Sequence, residues 1–406
     1  MNRSFCVSLG LLVAASIIVP APAQDGKKIT QAPKPLTDAE LADGWISLFD
    51  GATLFGWKAA SKADWQVKDG AIRVTGGEKG LLCTTVEFDN YVLKADFRAA
   101  KNTNSGIFLR TATVLGMNDV TTRCYELNIA PPDNPFPTGS FVGRLKGKSV
   151  PERDGEWQSY EVTVDKARST VKLNGETVLE YTDPKPIGRG YIGLQLNEGQ
   201  VEFKNIKLRP LGLENLFNGK DLTGWKNHPE SKSTFTVEKN TATDKGEIHV
   251  TSTGRGVLES EKQFGDFILQ MEAISHAPEL NSGMFIRSIP GEFANGYESQ
   301  IHNGIKDGDR RQPKDFGTGG IYRRVPARLV VPNDKEWFYK TIVADGPHIS
   351  VWINGYQVTD WTDDRKPDKN PRNGLRTEAG TLQLQGHDPT TDLSFRNIRA
   401  RELPGK

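Results

Sequence analysis

Histidine is missing from the first half of this chain: all 6, His228, His249, His276, His302, His348 and His387, fall in the second half. Cysteine is scarce, with 3 in 406 residues, and no Cys/His spacing resembles a zinc site. No Gly-rich phosphate loop or nucleotide fingerprint appears, so neither a metal nor a cofactor is expected. An excess of either charge is also lacking. Against 52 Lys and Arg stand 51 Asp and Glu, a net of +1, which offers no electrostatic case for nucleic acid and suits a neutral ligand. After the run Leu9 to Val19 no apolar stretch is long enough to span a membrane, so no transmembrane span is expected in the mature chain. A sustained 3.6-residue period is absent as well, which argues against a helical protein.

Arg3, the apolar run, and the small residues Ala21-Pro22-Ala23 read as a secretory signal over residues 1–23. That expectation places the protein outside the cytoplasm, in the periplasm or the medium. Residues 24–40 are polar and Pro-containing and read as a flexible lead-in. Cys83 and Cys124 remain after cleavage; they fit a disulfide in an oxidising compartment and two buried thiols equally well.

What the chain does have is an internal repeat of short alternating runs rich in Trp, Phe, Val and Ile. Leu48-Phe49-Asp50-Gly51 closing on Gly56-Trp57 recurs as Leu216-Phe217-Asn218-Gly219 closing on Gly224-Trp225. Asn104-Ser105-Gly106-Ile107-Phe108-Leu109-Arg110 recurs as Asn281-Ser282-Gly283-Met284-Phe285-Ile286-Arg287, and Tyr125-Glu126 as Tyr297-Glu298. Thr138-Gly139, Glu156-Trp157, Asn174-Gly175 and Phe203-Lys204-Asn205-Ile206 return in the same order as Thr318-Gly319, Glu336-Trp337, Asn354-Gly355 and Phe395-Arg396-Asn397-Ile398. The chain is therefore read as two copies of one all-β domain, residues 41–210 and 213–403, joined at Arg209-Pro210-Leu211-Gly212. Each Asn-Gly is read as a hairpin turn, because both positions tolerate positive φ. Trp57, Trp157, Trp225 and Trp337 are read as core rather than as sugar platforms.

Alternation places Asn281, Gly283, Phe285 and Arg287 on one strand face, and Glu298, Gln300 and His302 on one face of the next. If those faces coincide, an amide, a guanidinium, a carboxylate and an imidazole converge beside a glycine that leaves room for a ligand. The bland reading is a solvated Arg–Glu cross-strand pair, which needs no ligand. Gln383, Gln385 and His387 share a face by the same count, and Tyr322 follows the turn-like Thr318-Gly319-Gly320.

The order of these motifs, with Gly193-Leu194-Gln195 in the first copy, resembles the 3-keto-disaccharide hydrolase domain family across both copies, from Trp45 to Leu403. The resemblance implies two tandem concanavalin A-like jelly-roll β-sandwich domains with carbohydrate bound on a concave face. It also implies cleavage of glycosides whose sugar ring carries a ketone at C3. Such a ketone acidifies the C2 proton; a base removes it, the C1 substituent leaves by elimination, and hydration completes a net hydrolysis. On this reading Arg287 or Asn281 serves the developing enolate, while Glu298, His302 or His387 acts as base and acid. Gln300, Gln385 and Tyr322 bind substrate. Oxidation of the sugar must occur elsewhere, so a separate glycoside 3-dehydrogenase is the expected partner.

The copies are unequally equipped. The first keeps Asn104, Arg110, Glu126 and Gln195 as substrate-binding counterparts but has Asn128, Ala130, Val142 and Asn197 where the second has Gln300, His302, Tyr322 and His387. Catalysis is therefore expected in the second. A non-catalytic lectin-like tandem module, or a surface module using both copies for avidity, is the competing reading. Two-carboxylate glycoside hydrolysis is disfavoured, because alternation sets Asp388, the nearest second acid, opposite His387.

Overall fold

Two β-sandwiches in tandem make up the computed structural model, which describes residues 27–113, 122–151, 153–239 and 246–405. The expected signal peptide lies outside the described residues. In the first copy the larger sheet runs Glu176–Thr182, Arg168–Leu173, Gln158–Asp165, Tyr91–Ala99, Val201–Pro210, Ala71–Val74, Gln66–Lys68, and the smaller runs Trp57–Ala59, Gly80–Thr84, Tyr191–Leu196, Ser105–Thr111, Tyr125–Ile129. The second copy repeats this order. Its larger sheet is Tyr356–Thr362, His348–Ile353, Phe338–Asp345, Phe267–Ser275, Asp392–Glu402, Gly246–Ser252, Ser233–Lys239, and its smaller sheet Trp225–Asn227, Gly256–Phe264, Gly380–Gly386, Ser282–Ser288, Tyr297–Ile301. Neighbouring strands are antiparallel, and chain neighbours often lie in different sheets, which is the jelly-roll arrangement.

Alternation explains the layers. Along Phe338–Asp345, Phe338, Ile342 and Ala344 enter the core of the second copy, and opposite them Met284, Ile286, Leu382 and Leu384 descend from the smaller sheet. Burial of this apolar surface is the main favourable term. Asn174 and Gly175 take φ of 51° and 89°, and Asn354 and Gly355 take 48° and 72°, as their hairpins require. The tryptophans divide. Trp57 and Trp225 are buried, each donating its indole N–H to a backbone carbonyl, of Leu48 and Leu216. Trp157 and Trp337 instead lie on the outer face, under Lys204 at 3.9 Å and Arg396 at 3.8 Å.

The expectation of a flexible lead-in is corrected for its described part. Ile29 donates its N–H to Asp309 Oδ1 (3.1 Å) and accepts from Arg310 N–H (2.9 Å), and Lys28 Nζ donates to the Asp307 carbonyl (2.7 Å), so the segment is tied to the second copy. It then enters a short helix, Asp38–Asp43, started by a capping box between Thr37 and Glu40. The copies also pack together. Ile268, Val343 and Trp352 of the second copy join the core cluster of the first, and Trp352 Nε1 donates to the Ser47 carbonyl at 2.9 Å. Cys83 and Cys124 are both buried as thiols, and burial pushes Cys83 up to about 12. No helix among the described residues is long and apolar enough to cross a membrane.

Candidate active site

Tyr297–Ile301 is the last strand of the smaller sheet, and its free edge is covered by the segment that follows. Tyr322 N–H donates to the Glu298 carbonyl (2.9 Å), Gln300 N–H to the Gly320 carbonyl (2.8 Å), and Thr318 N–H to the His302 carbonyl (3.0 Å). Pairing the edge in this way removes its unsatisfied backbone groups and carries Asp315 and Tyr322 over the outer face. Tyr297 turns inward, donating its hydroxyl to Asp363 Oδ2 at 2.7 Å, so Glu298 faces out.

Asn281, Glu298, Tyr322, Gln385 and His387 line one cavity of about 320 Å³ on that face, together with Arg255, Phe293, Ala294, Arg323 and Arg372. Glu298 is 7% exposed. Burial pushes its carboxyl up to about 7, opposed chiefly by the positive charge of Arg372, whose Nη2 stands 4.0 Å away. Arg372 is held in place by donating to the Ala294 carbonyl at 2.7 and 3.0 Å. Beneath the strand lies Lys340, buried from the larger sheet, its Nζ donating to the carbonyls of Ser299 (2.8 Å) and Gln300 (3.1 Å). Burial brings that ammonium down to about 7, opposed by the Glu298 charge.

Asp315 clamps the floor. Its Oδ2 accepts from Asn281 Nδ2 (2.6 Å) and Gln300 Nε2 (2.9 Å). Gln300 thus sits fully buried as a support and does not line the cavity. Gln385 is 8% exposed and its Oε1 has no hydrogen-bond partner, a buried acceptor at the cavity wall. His387 lies past the end of its strand, where alternation no longer applies. Its Nδ1 is 2.7 Å from Asp388 Oδ2, so the two groups expected on opposite faces are in fact a bonded pair.

Two expected catalytic residues lie elsewhere. Arg287 is fully buried with φ of 49°, and this left-handed kink at a sheet bulge turns its side chain away from the cavity. Its guanidinium donates to the carbonyls of Gly265 (2.8 Å) and Gly346 (2.6 Å) and to Asp266 Oδ1 (2.9 Å), and its full burial keeps it from a substrate. Arg110, expected to bind substrate, is the same staple in the first copy, with φ of 50° and bonds to the carbonyls of Asp89, Lys166 and Ile187. His302 does not line the cavity; its Nδ1 accepts from Gly304 N–H at 3.1 Å. The room at Gly283 is taken by Glu298 rather than by a ligand, since a Cβ there would meet Glu298 Oε1 at 2.8 Å.

In the first copy burial also raises Glu126 to about 7. Around it, however, Lys79 Nζ donates to Asn197 Oδ1 (2.8 Å) where Arg255 and His387 face the second cavity, and Val142 replaces Tyr322. Asn104 pairs with Glu198 through its backbone (2.8 and 2.9 Å). Residues 114–121, in the connection between Ser105–Thr111 and Tyr125–Ile129, lie outside the described residues.

Sequence comparison places the chain in a family. The profile of the 3-keto-alpha-glucoside-1,2-lyase-like domain matches residues 44–209 and again 212–401. The chain belongs to this family, twice over. A 3-keto-disaccharide hydrolase of Bacteroides thetaiotaomicron is 27% identical over 230 residues, covering 42% of this chain and 79% of the relative. Among solved structures, a candidate glycosyl hydrolase from Parabacteroides distasonis is 22% identical with a TM-score of 0.39, covering 44% of this chain and 98% of that one. A carbohydrate-binding module from Bacillus subtilis is 13% identical with a TM-score of 0.31, covering 45% of this chain and 97% of that one.

Asp315, Lys340, Arg372 and Arg255 were not singled out from sequence. Only Lys340 carried a signal: counting by twos from Phe338 places it inward, an unexpected position for an ammonium. The others sit on loops or at a strand margin, where no period applies.

Proposed function

We propose that the second copy cleaves 3-keto-glycosides by C2 proton abstraction, elimination and hydration, with Glu298 as the base. The observation that carries this reading is a buried carboxylate poised at about 7 in the wall of a polar cavity, which is what abstraction of an acidified carbon-bound proton near neutral pH requires. The Glu298 carboxylate takes the C2 proton and electron density moves to the C3 oxygen as an enolate. The Arg372 guanidinium supplies donors for that charge, and the unpartnered Gln385 Oε1 accepts from a substrate hydroxyl. As the enolate collapses, the C1–O bond breaks, and His387, steadied through Nδ1 by Asp388, gives a proton to the departing oxygen. Water then adds across the enone, so that substrate and one water yield the 3-keto sugar and the free aglycone. Asn281 and Tyr322 contact hydroxyls.

Export by the N-terminal segment and supply of substrate by a separate glycoside 3-dehydrogenase belong to the same proposal. The first copy, with Asn197 tied to Lys79 and Val142 in place of the tyrosine, serves binding or structure. The test is turnover of 3-keto-glucosides against their parent glucosides by wild type, Glu298→Gln, His387→Ala and Glu126→Gln. Cleavage of the keto sugar alone, lost in the second-copy variants and kept in Glu126→Gln, is the expected result. Glycan binding with no turnover of any keto sugar would replace it with the lectin-like reading.

A further inference from the structure

On the outer face of the larger sheet of the second copy, away from the smaller sheet that carries the cavity, three side chains from adjacent segments converge. His249 comes from Gly246–Ser252, Asp392 opens Asp392–Glu402, and His276 follows Phe267–Ser275, its N–H donating to the Asp392 carbonyl at 2.9 Å. Their potential ligand atoms all lie within 4.8 Å of one another, and all three residues are half-buried. His249 Nε2 is 2.9 Å from Asp392 Oδ1, and the two imidazole rings meet edge to face at 5.8 Å. We propose that His249, His276 and Asp392 form a binding site for a divalent transition ion of the zinc class, with Glu238 orienting His249.

Ligand chemistry selects the class. Two imidazoles and one carboxylate suit zinc and its neighbours, whereas calcium and magnesium require mostly oxygen. Three protein ligands on an accessible face leave a fourth position to water. The outer partner that a metal-bound histidine needs is already in place, because Glu238 Oε1 lies 2.8 Å from His249 Nδ1 and so directs Nε2 toward Asp392. His276 has Ser394 Oγ at 3.1 Å from Nε2.

The repeat supplies an independent observation. Ladder register aligns His249 with Arg73, since His249 pairs with Ser394 as Arg73 pairs with Glu202, beside the matched Phe395 and Phe203. By the same register Asp392 falls on Gln200, Glu238 on Lys68 and His276 on Ala100, whose N–H likewise donates to the Gln200 carbonyl at 3.0 Å. In the first copy these positions make an ordinary surface contact, Arg73 Nη2 to Gln200 Oε1 at 3.1 Å. One backbone geometry thus carries Arg, Gln, Lys and Ala in one copy and His, Asp, Glu and His in the other. An ion triad of His249 with its two carboxylates would stabilise the sheet without a second imidazole; His276 is the residue that role leaves unexplained.

The test is calorimetric titration of the untagged, chelator-dialysed full chain with zinc chloride, with bound metal counted by mass spectrometry. One equivalent per chain is expected, not displaced by excess calcium or magnesium. His249→Ala and His276→Ala should each weaken binding at least tenfold, and Glu238→Gln roughly ten- to a hundredfold, the usual cost of losing an outer partner. Arg73→Ala should bind as wild type. His276→Ala sets at that position the residue type the first copy carries, so its fold, checked by circular dichroism, is expected to persist. Absence of zinc binding in the wild type, an unchanged titration in His276→Ala, or displacement by calcium would overturn the proposal.

Discussion

Gly283 lies under the Glu298 side chain: a Cβ built on it would stand 2.8 Å from both Glu298 Cγ and Glu298 Oε1. Its φ is not positive, so the strand itself tolerates alanine, and the steric cost of Gly283→Ala falls on the carboxylate. Displacing a base by about 1 Å costs on the order of 100-fold in rate. Gly283→Ala is therefore expected to lower kcat by about that factor while circular dichroism stays unchanged. The matching Gly106→Ala in the first copy should leave turnover intact. Wild-type kcat in Gly283→Ala would sink the assignment of Glu298 as base.

The acidic limb of the pH–rate profile follows from Glu298. Its carboxyl must be ionised to accept a proton, so kcat/KM is expected to rise with pH and level off above about 7. Arg372 opposes the upward shift, so Arg372→Met should move that limb to higher pH. Stability has the opposite slope. A carboxyl that is higher in the folded state than the ordinary carboxylate value binds more protons folded than unfolded in between, so stability falls as pH rises from about 4.5 to about 7. Glu298→Gln removes that term, and should raise stability by up to about 3 kcal/mol at pH 8 and little at pH 4. Denaturant titrations at the two pH values measure it.

Arg287→Met separates structure from chemistry. The guanidinium fixes the carbonyls of Gly265 and Gly346 and the Asp266 carboxylate from a fully buried position, and methionine leaves these acceptors without it. A loss of about 3 kcal/mol or more is expected, read as a fall in Tm of roughly 10 °C for a domain of this size. At low temperature kcat/KM of the folded fraction should match wild type. A selective loss of kcat with unchanged Tm would return Arg287 to the site.

The fold was readable because the same local rules are written twice. The Asn-Gly turns, the alternation and the repeated Tyr-Glu each have a single backbone solution, and both copies adopt it. The site was readable mostly where a regular strand continued, although Tyr322 after its turn and His387 past the end of its strand also line the cavity as expected. Asn281, Glu298 and Gln385 fell where alternation put them, facing the cavity. Arg287 did not, because its φ of 49° breaks the period at the one residue that mattered. Asp315, with φ of 42°, and Arg372 come from loops, whose side-chain directions depend on tertiary bonds to Asn281, Gln300 and Ala294. The lead-in was misjudged for a related reason. Its polar composition indicates no core, but its backbone finds partners at Asp307, Asp309 and Arg310.

Arg189 of the first copy is one link between the copies, beside the Arg401–Asp89 and Arg328–Asp50 pairs, and reaches three carboxylates from a position 3% exposed at the side chain. Its Nη2 is 2.7 Å from Asp266 Oδ2 and 3.3 Å from Asp345 Oδ1 in the second copy, and its Nε is 3.2 Å from Glu87 Oε2 in the first. Burial opposes ionisation of Asp266, yet the bond to Arg189 and neighbouring donors hold it below the usual carboxylate value. That contribution is present above about pH 4 and lost on acidification through the lower, folded value. With Arg189→Met the three carboxylates face one another without this guanidinium, so repulsion and desolvation act at neutral pH and are relieved by protonation. Scanning calorimetry at pH 8 is expected to show one transition for wild type and two for Arg189→Met, the earlier at a clearly lower Tm. Below about pH 4, where the wild type loses the contribution of Asp266, the two profiles should approach each other. A single unchanged transition in Arg189→Met at pH 8 would mean that the apolar contact of Ile268, Val343 and Trp352 and the Arg401–Asp89 and Arg328–Asp50 pairs couple the copies without Arg189.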